Sequence, residues 1–158
     1  MFKPTRWIVG VLVGASALLA LGAGVVAAKS SGKKDSGTIY AAITHTVNGI
    51  EYIAGGGSDK LFGATAVTFT AKPSSGAPGT VPVSVKPVVI YYKNGTLSGS
   101  SSVTLTIGTT GAVTITAGKI KATKGTGGLK GHSFVGTVTG SGPSVAGPFI
   151  FHYTGTYK

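Results

Sequence analysis

A chain of 158 residues with 14 basic residues against 3 acidic ones carries a formal net charge of +11 and no cysteine. That length suits one domain behind a leader segment and buries a core without covalent staples. The missing cysteines exclude cystine-rich scaffolds and a cysteine nucleophile, and the basic balance favours contact with polyanions.

Lys3 and Arg6 precede an apolar run from Trp7 to Val26, closed by the small residues Val26-Ala27-Ala28. Charge, apolar stretch and small-x-small is the order of a secretory signal peptide. Residues 1–28 are therefore expected to be removed, leaving a chain that works secreted or at the cell envelope. The run is also long enough to span a bilayer, so an uncleaved anchor is the alternative and the route by which this chain would meet a membrane. Residues 29–37 (KSSGKKDSG) read as a flexible basic tether, and residues 38–158 as a single domain. No arginine follows Arg6. Specific nucleic-acid readers lean on arginine forks, so the lysines point instead to anionic surface polymers, or to a solvated shell that guards strand edges.

From Thr38 onward the text alternates as strands do, with no helix-period stretch. Ile39, Ala41, Ile43, His45 and Val47 share one face of a first strand, and Asn48-Gly49 supplies a two-residue hairpin turn. A second strand runs from Ile50 to about Ala54. A third spans Leu61 to Lys72 with Thr65, Val67, Phe69 and Ala71 on one side. After a proline-stiffened loop over 73–82, Val83 to Lys93 is apolar on both faces, and Pro87 within it marks an edge or a bulge. Asn94-Gly95 is predicted to turn into a strand over 96–107, where Val103, Leu105 and Ile107 alternate with threonines. Strands beginning near Gly111, over 132–140 and over 148–157 complete a set of about eight.

Eight antiparallel strands in this length predict an all-β fold, either a small closed eight-stranded antiparallel β-barrel or a two-sheet β-sandwich. The immunoglobulin cysteine pair and buried tryptophan are missing, and glycines in the later strands suit barrel bends, so the barrel is the expectation. Over residues 94–140, Gly95, Leu97, Gly99 and Ser100, followed by Gly125-Thr126-Gly127-Gly128-Leu129-Lys130-Gly131, resemble the barrel family of allene oxide cyclases and dirigent proteins. The resemblance implies an eight-stranded barrel, often dimeric or trimeric, with a pocket for a hydrophobic small molecule. No catalytic residue maps across.

Chemistry is sparse. Serine is plentiful, but no Gly-x-Ser-x-Gly elbow accompanies His45, His132 or His152. Asp35 in the tether and Asp59 in a glycine-rich loop do not predict a fixed carboxylate pair with Glu51. The histidines lack metal-ligand spacing, and no cofactor is implied. His45 reads either as a pocket residue or as a core histidine satisfied by a neighbour. His45, Phe69, Val103, Leu105 and Tyr153 are the expected lining of a ligand pocket. Lys119, Lys121, Lys124 and Lys130 around the glycine stretch are the candidate anion site, with loop amides in support; the alternative is a solvated turn. The expectation is an exported binding or structural module, holding a hydrophobic small molecule inside the barrel. A cofactor-free cyclase dependent on Glu51 or His45, or a lysine-mediated binder of anionic polymer, are the other readings.

Overall fold

The computed structural model describes residues 32–158; the expected signal segment, its expected cleavage site and the start of the expected tether lie outside the described residues. Eight strands come one after another in a meander: β1 (Lys33–Val47), β2 (Ile50–Asp59), β3 (Gly63–Pro73), β4 (Thr80–Tyr92), β5 (Gly95–Ile107), β6 (Val113–Gly125), β7 (Phe134–Gly142) and β8 (Phe149–Tyr157). Each pairs with the next in antiparallel register, and β1 also pairs with β8, from Lys33 opposite Tyr157 to Ala41 opposite Phe149. The sheet closes on itself, leaving no edge strand to protect. The barrel expectation holds and the sandwich does not.

Alternation sorts the side chains. Ile39, Ala41, Ile53, Val67, Val83, Ile90, Leu97, Ile120, Phe134, Val138 and Tyr153 turn inward and are buried, while every lysine among the described residues is exposed. An apolar interior inside a lysine- and threonine-bearing wall is the reverse of a membrane-spanning barrel, whose outward band is apolar.

Three local expectations change. Residues 33–37 are not tether: they open β1, because their backbone pairs with β8 and Asp35 is buried. His45 does not share the inward face of Ile39. The β1–β2 register passes from Ile43 opposite Ile53 to His45 opposite Tyr52, so Thr44 is an extra residue, and its hydroxyl donates to the Tyr52 carbonyl at 2.9 Å. Such a bulge flips the parity of the residues beyond it, and His45 and Val47 emerge exposed. The Asn48-Gly49 turn forms as predicted, with φ of 51° and 75°. The second hairpin instead turns on Lys93-Asn94, because Gly95 already pairs with Tyr92 as the first residue of β5.

Pro87 marks a bulge, as its position predicted. The β4–β5 register jumps between Val85 and Val88, and Lys86-Pro87 is a cis peptide.

Candidate functional site

The interior of the barrel is unevenly filled. At the end carrying the chain termini of the described segment, Phe62, Tyr92, Leu97, Leu129, Phe134 and Tyr157 pack into a plug. Ring pairs Phe62–Tyr92 (4.7 Å between centroids) and Phe62–Tyr157 (5.0 Å) lock it, at separations where edge-to-face or tilted rings attract. At the opposite end, Val113, Ile115 and Phe149 bury the β6–β8 side. On the β1–β5 side, Ile43, Phe69, Val81, Val103 and Leu105 remain only half-buried. Between plug and mouth lies a cavity of about 80 Å³. One water needs roughly 10–15 Å³ on this measure, so the space accepts a small ring or short chain.

Four of the five residues expected to line a pocket face the cavity: Phe69, Val103, Leu105 and Tyr153, beside Ile39, Ile53, Val85, Ile120 and Phe151. The edge-to-face pair Phe69–Phe151 (5.8 Å) forms part of its wall. His45 is the exception. It lies outside the barrel, stacked on Tyr52 with ring centroids 4.3 Å apart and its Nδ1 3.1 Å from the Thr44 hydroxyl. The Phe149, Phe151, Tyr153 and Tyr157 stripe is interior, and His152 on the other face bonds the Thr38 hydroxyl at 3.0 Å.

Glu51 was named from the sequence as a residue on which a cyclase would depend, but two placements were not foreseen. The first is the place of Glu51, whose inward position on β2 sets it among the residues lining the apolar cavity, opposite Thr46 and Ala71. Burial raises its pKa, and no partner among the described residues opposes that rise. The second is a buried carboxylate pair at the sealed end. Asp35 and Asp59, 4% and 5% exposed, are brought together by the β1–β2 register. Asp59 anchors the plug: its Oδ1 accepts from the Leu61 and Phe62 amides at 2.8 Å each, and its Oδ2 from the Tyr153 hydroxyl at 2.5 Å and the Tyr92 hydroxyl at 3.4 Å. Burial first, and then the Asp59 charge, push the Asp35 carboxyl from 3.8 up to about 6. Burial also raises the Tyr92 and Tyr153 hydroxyls, with the carboxylates adding to the effect. Parity carried the signal: 35, 37, 39 and 41 alternate with Ile39, and 53, 55, 57 and 59 with Ile53. Both runs are interrupted by glycines, which hid the strands' true length.

The lysines divide. Lys119 and Lys121 project from the outer face of β6 and share a shallow serine-lined depression with Lys86 of β4. Lys124, opposite Ser98, and Lys130, after the 3-10 turn Gly127–Leu129, stand apart at the sealed end. The glycine stretch offers few free amides. Thr126 N–H donates to the Thr96 carbonyl (3.0 Å), Gly128 to Asn94 (2.7 Å), Leu129 to Thr126 (3.0 Å), Lys130 to Gly127 (3.2 Å) and His132 to Leu129 (3.0 Å). Five amides are thereby spent, two on tying the loop to the β4–β5 hairpin and three within the loop itself, and none of these five is free for an anion. The described residues hold no cluster of three or more metal-ligating side chains.

Fold and cavity together define a closed eight-stranded meander barrel with one sealed and one open end. Compared with protein-family models, curated proteins and solved structures, the chain matches none.

Proposed function

We propose that this protein is an exported binding barrel that takes a small hydrophobic molecule through its open end. The observation that carries this reading is the apolar cavity between Phe69, Val103, Leu105 and Tyr153. A fold selected for stability alone gains by filling such a space, since each lost contact costs packing energy. This barrel packs one end with rings and aliphatic side chains and leaves a cavity toward the other. Small closed barrels of eight strands can hold one small ligand. Export rests on the pattern of residues 1–28.

Native mass spectrometry of protein recovered from its own host tests the proposal, with a denatured sample as reference. Retained mass of a few hundred daltons or less per chain, lost on denaturation, is the expected result. A native mass equal to the bare polypeptide would count against a tight carrier. The denatured mass reads directly whether Met1–Ala28 has been removed.

A second reading draws on Lys86, Lys119 and Lys121 around one depression on the outer wall, which suits an anionic polymer. It predicts retention on an anionic matrix that weakens steeply with salt, with no dependence on the cavity.

A further inference from the structure

The three acidic residues of the sequence are Asp35, Glu51 and Asp59. All three turn into the barrel, whereas each described lysine stands on the outside. Charge is segregated by side of the wall, cationic without and anionic within. Two of the interior acids are engaged with one another and with the plug: Asp59 accepts from two amides and two tyrosine hydroxyls, and Asp35 accepts from the Ser36 amide at 2.8 Å and feels the Asp59 charge. Glu51 is different. It stands in the cavity lining with Ile53, Phe69 and Ala71, and burial acts on it without a hydrogen bond or neighbouring cation among the described residues to compensate.

A carboxylate held against apolar surface without a partner is costly, and the cost is recovered when a cation or donor is brought to it. A barrel that needed Glu51 only for solubility would place it on the outer face, where the lysines stand. Apart from Tyr153, whose hydroxyl is committed to Asp59, Ser101 is the other polar side chain in the cavity lining, and a hydroxyl can accept a further N–H. We propose that the ligand is a small apolar amine, its hydrocarbon part between Phe69, Val103 and Leu105 and its ammonium group on the Glu51 carboxylate. This rests on the binding-barrel reading above and specifies its ligand class. The described lysines are exposed on the outer wall, where salt screens their charge.

Calorimetric titration with a matched set tests it: benzylamine, benzyl alcohol and benzoate, against the wild type and Glu51→Gln. These share one ring, of a size the cavity admits, and differ in the head group. The expected result is benzylamine binding about tenfold or more tighter than benzyl alcohol in the wild type, with benzoate weakest. Glu51→Gln should erase the amine's advantage and leave the alcohol's affinity within about twofold. Glu51 is half-buried at the mouth, so the neutral isostere is expected to fold, and unchanged circular dichroism would confirm it. If amine and alcohol bind the wild type equally, the amine assignment is overturned while the cavity reading stands. If none of the three binds, both fall together.

Discussion

The two ends of this barrel are built from the same alternating strands and yet solve opposite problems. At the sealed end, rings and aliphatic side chains fill the lumen, and a carboxylate pair ties them to the β2–β3 turn through Asp59. At the open end, Phe69, braced edge-on against Phe151, lines a cavity with Val103 and Leu105, and Glu51 lies in the same lining without a partner among the described residues. The lesson is that closure of the sheet needs only one stoppered end. Once β1 and β8 are joined beside the plug, the other end is free to carry a cavity. The sealed end should therefore govern stability, and the open end occupancy.

The largest effect should come from cutting the anchor. Asp59→Ala leaves two amides and the Tyr92 and Tyr153 hydroxyls without their acceptor, and buried unsatisfied donors cost about 1–3 kcal/mol each. A loss of at least about 3 kcal/mol in urea denaturation is expected, and a loss below about 1 kcal/mol would show that the plug does not depend on it. Next comes Gly37→Val. A side chain at Gly37 would meet the Tyr153 hydroxyl and ring, and overpacking of this kind costs about 1–3 kcal/mol. At the open end, Phe69→Ala removes a half-buried ring that has cavity on one side. About 1–2 kcal/mol is expected, below the roughly 3–5 kcal/mol typical of a fully packed phenylalanine, together with a clear change in small-ligand affinity.

A smaller effect concerns pH. Folded Asp35 keeps its proton up to about pH 6, against 3.8 for the ordinary group. Between those values the folded chain binds more protons than the unfolded one, so stability is full below about pH 4 and declines as pH rises through about 6. Thermal melting should therefore occur at higher temperature at about pH 5 than at about pH 7.5. Asp35→Asn, which mimics the protonated acid, should flatten most of that slope; an undiminished slope would place its origin elsewhere. Glu51, also raised by burial, contributes in the same direction.

Strand-level reading of the sequence succeeded where threonine, valine and isoleucine alternate without interruption. The inward faces of β3, β5 and β8 were legible, and with them Phe69, Val103, Leu105 and Tyr153. It failed where the chain breaks its own period. At Thr44 a single inserted residue rotates His45 out of the lumen, and nothing in ITHTV marks the insertion. At Lys33–Gly37 and Gly55–Asp59, glycine and charge disguise strand as tether and loop. Glycine is used there because neighbouring backbone passes too close for a β-carbon, as at Gly57 against Thr38. The carboxylate pair was invisible for that reason. Asp35 and Asp59 are 24 residues apart in sequence and meet only through pairings that propensity did not predict.

The division of labour between the ends is tested most directly by methyl-resolved NMR of the full folded domain during titration with a neutral apolar probe such as toluene. Saturable shifts confined to the methyl groups of Val85, Val103, Leu105 and Ile120, with Leu97 and Leu129 in the plug unmoved, are the predicted result. Shifts spread over the outer wall, or none at any concentration the probe can reach, would contradict the claim that the open end of this barrel is a binding site.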